Sequence, residues 1–286
     1  MAFILLHQSS FGEEILVMEA KRRELEALMK DMGGVLVAFS GGVDSSVLLA
    51  AAHEAVGDFA VAVTATSAIV PAHDLESART ISSRLGVRWI TLESGELEDQ
   101  HYKGNPRNRC YFCKKSLFTR LVERASEENL PFVVDGSNTD DLTDIRPGMA
   151  ALRELGIRSP FLELGIDKEM IRSLAKHYGL PNWDKPSSAC LASRIPYGEP
   201  ITPERVGRID RSESLLRDMG FRQLRVRDHG TIARVEILPE DMGRLLENGL
   251  REAFVAACKD AGYTFVTLDL QGYRTGAMHE AVNSEE

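Results

Sequence analysis

Two patterns of apolar residues alternate along the first two thirds of the chain. Short, predominantly apolar runs at Val35 to Phe39, Ala60 to Thr64, Val87 to Leu92 and Phe132 to Val134 have the length and β-branched content of strands buried on both faces. Between them, apolar residues at helical spacing predict helices from Met18 to the glycine pair Gly33 and Gly34, from the residues after Gly42 to about Ala55, from Ala72 to Leu85 and from Tyr111 to Ala125. Strand, loop and helix in repetition predict an α/β fold with a doubly wound parallel sheet. A helix from Asp167 to Tyr178, capped by Asp167 and stopped by Gly179 and Pro181, closes this part.

Beyond it the pattern changes. Asn182 to Pro203 carries four prolines and little periodicity, which reads as an ordered connecting loop. A helix from Pro203 to Met219, strands at Gln223 to Arg227 and Ile232 to Ile237, a helix from Leu246 to Ala261 and a strand from Thr264 to Leu268 predict a smaller α+β domain. The expected division is therefore residues 18–185, a connecting loop at 186–202 and a C-terminal domain at 203–280. Residues 1–17 are read as an extension outside the fold, and the final AVNSEE as frayed.

The joint between the first strand and the next helix is the most constrained stretch. Val35 to Ser46 reads VLVAFSGGVDSS, so Gly41 and Gly42 fall where strand turns into helix. Glycines there allow backbone conformations closed to other residues, so that N–H groups converge on an anion at the positive end of the helix dipole. Ser40, Ser45 and Ser46 add hydroxyl donors. Asp44 would repel a phosphate unless a cation such as Mg²⁺ lay between them, so it reads as a metal or helix-cap residue. No lysine follows the glycines as in a P-loop, and no G-x-G-x-x-G occurs. SGGVDSS instead resembles the PP-loop ATP pyrophosphatase superfamily, which cleaves ATP between the α and β phosphates and uses AMP to activate a substrate. The plain alternative is a serine-capped helix.

With 286 residues, 43% hydrophobic content and no long apolar run, about two soluble domains are expected and no membrane segment. MAFILLH lacks the flank and cleavage site of a signal peptide, so a cytoplasmic location is expected. The net charge of -9 argues against a nucleic-acid binder. Within this acidic chain, Arg205 to Arg234 holds eight arginines and no lysine against Asp210, Glu213, Asp218 and Asp228, a composition suited to binding phosphate or carboxylate. For Arg205, Arg208, Arg211 and Arg217 a salt-bridged helix face is the alternative. Arg225 and Arg227 alternate with Leu224 and Val226, which places both guanidinium groups on one polar strand face.

Four cysteines without a pairing pattern do not make a disulfide framework. Cys258 lies on an apolar helix face and reads as core. Cys110 and Cys113 form a C-x-x-C opening a helix beside Arg107, Arg109, Lys114 and Lys115, surroundings that favour thiolates. Cys190 lies among small residues and prolines in KPSSACLASRIPYG and reads as reactive or ligating. No histidine stands at zinc-finger spacing, and three thiolates suit a 4Fe-4S cluster with one open iron; three unrelated thiols are the alternative. DGSNTDDLTD places Asp135, Asp140, Asp141 and Asp144 in one loop at the same sheet end as the glycines, where they can hold Mg²⁺ or the ribose and adenylate, or merely form turns. Arg146 follows within reach of an anion.

Taken together, SGGVDSS, RCYFCKK, DGSNTDD, RPGMAALRELGIRSPF, KPSSACLASRIPYG and RVRDHGTIARVEI resemble the LarE family of ATP-dependent sulfur transferases over about Met18 to Met278. The resemblance implies ATP and Mg²⁺ as cofactors and a pyridinium dicarboxylate mononucleotide as substrate, converted to the thiocarboxylates of the nickel-pincer nucleotide. It also implies Cys190 as the sulfur site, with Ser193 and Arg194 in the adjoining motif and Glu213, Arg225 and Arg227 lining the substrate or phosphate pocket. Some members sacrifice the sulfur of one cysteine; others hold a 4Fe-4S cluster on three, a type that Cys110, Cys113 and Cys190 match. The sulfur source and a homo-oligomeric state stay open. Rival readings are an amide-forming synthetase of the NAD or GMP synthase kind, a tRNA thiolation enzyme, and a nucleotide-binding iron-sulfur sensor.

Overall fold

A computed structural model describes residues 2–143, 147–186, 188–247 and 249–274. In chain order the elements are α1 (Ala2–Met32), β1 (Val35–Ala38), α2 (Val43–Val56), β2 (Ala60–Thr66), α3 (Ala72–Leu85), β3 (Trp89–Glu93), the single turn α4 (Gln100–Lys103), α5 (Arg109–Glu127) and β4 (Phe132–Val134). They continue with α6 (Gly148–Glu154), the turn α7 (Pro160–Glu163), α8 (Lys168–His177), α9 (Pro203–Asp218), β5 (Leu224–His229), β6 (Ile232–Ile237), the turn α10 (Met242–Leu245), α11 (Leu250–Asp260) and β7 (Phe265–Leu268). Among the described residues no helix is long and apolar enough to cross a membrane.

Two compact units emerge. The first comprises residues 1–66, 74–94 and 110–185; the second comprises 67–73, 95–109 and 186–286.

The first unit is built on a parallel sheet of order β3-β2-β1-β4. Val35 pairs with Ala60 on one side and Phe132 on the other, which puts β1 at the centre. Its residues alternate between two cores. Val35 and Val37 join Leu25, Met29, Val47, Leu48, Ile171 and Leu174, whereas Leu36 joins Phe118, Leu121, Val133 and Leu152. Each such side chain contributes about 1.5–3 kcal/mol when removed from water, which explains why a four-residue strand tolerates no polar position.

The second unit holds a three-stranded sheet of order β5-β6-β7, with β5 and β6 antiparallel and β6 and β7 parallel. Leu224, Val226, Val235, Phe254 and Cys258 share its core with Leu216 of α9. Cys258 is the buried apolar thiol that its helix face suggested, and burial pushes it up to about 11.

Four expectations are corrected in detail. The first helix runs from Ala2 to Met32 rather than opening at Met18, so residues 2–17 are continuous with it. The third strand starts at Trp89, because Gly86 at φ 67° turns the chain and the Val87 amide donates to Ser82. The helix expected over 246–261 starts only at Leu250, after Gly249 at φ 90°. The strand with the two arginines has no solvent-facing polar side from Leu224 to Asp228, since all five residues are buried.

Candidate active site

The first unit places the glycine turn read as a phosphate loop between β1 and α2. Gly41 has φ 70°, and a Cβ there would meet the Ala78 amide nitrogen at 2.6 Å and the Asp74 carbonyl at 2.9 Å. The loop is thus pressed onto the first turns of α3, and only glycine fits. Gly42, by contrast, has φ -81° and sits as the N-cap of α2, an ordinary conformation; of the two glycines only the first is demanded by the backbone. Gly41→Ala is expected to weaken ATP binding by roughly 10- to 100-fold, because the loop must move to relieve contact and strain. Titration calorimetry checks it, and unchanged affinity would mean that the loop does not hold ATP.

The serines divide into two roles. Ser40 and Ser45 share a hydroxyl contact of 3.2 Å, and the Gly42 amide reaches the Ser40 Oγ at 3.3 Å. Ser46 is fully buried; its hydroxyl donates to the Gly42 carbonyl at 2.8 Å and accepts from Asn182 Nδ2 at 3.0 Å. Ser46 therefore holds the turn from behind, through the Gly42 carbonyl and Asn182.

Asp44 makes no cap to α2. Its carboxylate is ion-paired with Lys168, the first residue of α8, and accepts from Asn138 Nδ2 at 3.3 Å. It remains partly solvent-accessible, and its oxygens are the donor type that a hard cation takes. Gly136 brings the loop after β4 against it, since a Cβ there would lie 3.2 Å from that of Asp44.

The acidic loop is more structural than its composition suggested. Asp135 is buried and accepts from the Ser137 and Ser159 hydroxyls at 2.5 Å each, which ties the loop to the start of α7. Asp141 accepts from the Asn138 amide at 3.1 Å, and the Asp140 amide donates to Asn138 Oδ1 at 3.0 Å. Asp144 and Arg146 lie outside the described residues.

Cys110 is exposed and Cys113 half-buried on the first turn of α5. Three of the four cations expected to favour their thiolates have partners of their own. Lys115 pairs with Glu154 at 2.6 Å, and Lys114 lies 4.0 Å from Asp135. Arg109 belongs to the second unit, where it is buried, donates to Asn105 at 2.6 Å and stacks on Tyr197 at 4.6 Å.

In the second unit Cys190 caps a short turn at Leu191–Arg194. The buried Arg194 reaches around it. Its Nη1 donates to the carbonyls of Ala189 at 2.7 Å and Cys190 at 3.0 Å and to the Ser193 hydroxyl at 2.9 Å. Nε and Nη2 meet Glu213 at 2.8 and 2.9 Å. Glu213, fully buried, also accepts from Arg217 at 2.9 Å and from the Val226 amide at 3.0 Å. Burial alone would raise its pKa, but Arg194 and Arg217 win and hold it down to about 2. Together Arg194 and Glu213 frame the cysteine loop, with Glu213 held between Arg194 and Arg217 and the Arg194 Nη1 beside Cys190 and Ser193.

Arg227 is bidentate on Glu236 at 3.0 and 2.9 Å and donates to the Ser193 carbonyl at 2.9 Å. Arg225 donates to the Leu224 carbonyl and lies 5.1 Å from the centre of the Tyr273 ring. Burial and the neighbouring Arg194 drag its guanidinium down to about 10, an environment that an added anion would relieve. Three of the helix arginines form ion pairs, Arg205 and Arg208 with the buried Asp228 and Arg217 with Glu213, whereas Arg211 donates to the Ala261 carbonyl.

No family model matches the chain. Among curated proteins, the pyridinium-3,5-bisthiocarboxylic acid mononucleotide synthase of Lactiplantibacillus plantarum is 35% identical over 93% of this chain and 96% of its own length. The chain belongs to the LarE family. An uncharacterised protein of Synechocystis is 38% identical over 93% of this chain and 99% of its own length. Over a shorter stretch, the NH(3)-dependent NAD(+) synthetase of Hyperthermus butylicus is 33% identical across 55% of this chain and 59% of its own length, in keeping with the parallel sheet and glycine loop.

Sequence reasoning missed several members of this LarE-family site. Asn138, Lys168, Asn182 and Lys185 all touch the phosphate loop or Asp44, yet read as loop, helix-start and linker residues. For Lys185 a signal was present, its place at the head of the KPSSACLASRIPYG motif.

Proposed function

We propose that this LarE-family chain is an ATP-dependent sulfur transferase that converts a carboxylate of pyridinium-3,5-biscarboxylic acid mononucleotide into a thiocarboxylate. The observation that carries the reading is the pairing, within one chain, of a glycine phosphate loop in the first unit with a cysteine framed by Arg194 and the Arg225 strand in the second. The substrate carboxylate attacks the α phosphorus, pyrophosphate leaves, and a sulfur nucleophile then displaces AMP from the acyl adenylate. Ser40, Gly41, Gly42 and Ser45 stabilise the departing pyrophosphate through N–H and hydroxyl donors at the start of α2. Mg²⁺ when bound neutralises charge on the separating oxygens. Asp44 would hold it, and Asp140 and Asp141 would serve the adenylate side. Arg225 takes the substrate phosphate, and Arg227, held by Glu236 and the Ser193 carbonyl, lines the pocket beside it.

Cys190 delivers the sulfur as a sacrificial donor, its thiolate displacing AMP and its Cβ–S bond then breaking to leave dehydroalanine and the thiocarboxylate; alternatively Cys110, Cys113 and Cys190 would hold a 4Fe-4S cluster whose open iron would carry an external sulfide for transfer. The C-x-x-C pair on one helical turn supports the cluster form by donor type. Among the described residues, however, no group of three or more metal-ligating side chains is assembled, so no step above depends on a cluster.

The test supplies the purified chain with ATP, Mg²⁺, sulfide and the dicarboxylate mononucleotide, and follows AMP, pyrophosphate and product. Pyrophosphate release that requires the mononucleotide and accompanies thiocarboxylate formation is expected. Amide formation from ammonia, or ATP cleavage indifferent to the mononucleotide, would overturn the reading.

A further inference from the structure

We propose that Lys185, together with Asn182, is a positioning residue for the phosphate loop: the two side chains fix the Gly41–Gly42 peptide so that its N–H faces the pyrophosphate half of ATP. The proposal rests on the ATP-activating function above and assigns a role to residues on the side of the loop away from the anion.

The Gly41 carbonyl accepts three side-chain donors, Ser77 Oγ at 3.0 Å, Asn182 Nδ2 at 3.2 Å and Lys185 Nζ at 3.2 Å. Each donor is itself held. Asp74 lies 2.9 Å from the Lys185 ammonium and aims it. Asn182 is buried and bonds Ser46, which in turn bonds the Gly42 carbonyl. Ser77 stands on α3, against whose backbone Gly41 is packed.

A peptide unit is planar and trans, so its C=O and N–H point in opposite directions. Holding the Gly41 oxygen on three donors therefore sets the direction of the Gly42 N–H. That N–H reaches the Ser40 hydroxyl at a long 3.3 Å, on the exposed side of the loop. The alternative orientation would turn the Gly41 oxygen towards the phosphates, where two negative ends repel. An ammonium on the carbonyl also polarises the peptide and strengthens its N–H as a donor. Without the cation and the amide, only Ser77 still holds the Gly41 oxygen, and the Gly41–Gly42 peptide turns over more readily, because glycines accept either orientation.

The consequence is selective. Ligands carrying the β and γ phosphates depend on this peptide, whereas AMP does not. Calorimetric titration of the full chain with Mg²⁺-ATP, pyrophosphate and AMP is the test, on the native protein and on Lys185→Met, Lys185→Arg and Asn182→Ser. Lys185→Met is expected to weaken ATP and pyrophosphate binding by roughly tenfold or more and to leave AMP binding unchanged, with Lys185→Arg restoring most of the loss. Equal affinity for pyrophosphate in native and Lys185→Met protein would overturn the proposal, as would an equal loss for all three ligands, which marks a merely structural role. Should Lys185→Met fail to fold, Asn182→Ser decides by the same split. Native protein that binds neither ATP nor pyrophosphate would overturn the ATP-activating function itself, a result distinct from failure in the variants alone.

Discussion

Replacing Glu213 with alanine is expected to destabilise the second unit by about 3–5 kcal/mol, because it leaves two guanidinium groups without their buried counter-ion. The carboxylate is fully buried and binds Arg194, Arg217 and the Val226 amide at once, so no water can take its place without opening the core. Urea unfolding measures the loss, and a change under about 1 kcal/mol would show that the ion pairs contribute little net stability. The same group predicts an acid dependence. Its folded pKa is depressed to about 2, below its unfolded value near 4.5, so its contribution is fully present above about pH 5 and disappears as pH falls towards 2. The shift corresponds to about 3 kcal/mol at neutral pH. Glu213→Gln, which cannot titrate, is expected to show a shallower fall in stability over that window. Because Arg194 also holds the carbonyls of Ala189 and Cys190, sulfur transfer should fall further in these variants than pyrophosphate release does.

Cys190→Ala is expected to lower thiocarboxylate formation by roughly a thousandfold or more while substrate-dependent pyrophosphate release persists, since the thiol acts only after adenylation. Loss of both activities would place Cys190 in the first step and contradict the order of reaction proposed. The accompanying measurement separates the two forms of sulfur delivery. Protein purified without oxygen is assayed for iron and acid-labile sulfide, comparing native chain with Cys110→Ala, Cys113→Ala and Cys190→Ala. Iron lost in all three variants supports a cluster on three cysteines. Native protein without iron after reconstitution, with a mass lower by H₂S after a single turnover, identifies Cys190 as a sacrificial donor.

Local pattern was enough for the α/β architecture and the phosphate loop. A central strand buried on both faces must be apolar throughout, so VLVA announces itself, and a left-handed backbone residue at a strand-to-helix turn must be glycine. Asp167 as the cap of α8 and Pro203 at the start of α9 were equally legible, because caps are local chemistry. The Cys258 core position followed from helical spacing alone.

What the sequence could not determine was which charged residues face a ligand and which face each other. Arg225 and Arg227 read as one polar strand face, yet both are buried, and the fold seals Glu213 inside an arginine frame, because a buried charge is tolerated only when partnered and its partners lie far away in the chain. Ser46 and Asp135 likewise looked like ligand donors and are engaged by Asn182 and Ser159, contacts that span long stretches of sequence. The order of apolar and polar residues along this chain determined its strands and its glycine turn, since each is a property of neighbouring residues. Tertiary structure alone decided the direction of each charged side chain, which depends on desolvation and on partners brought together only when the chain folds.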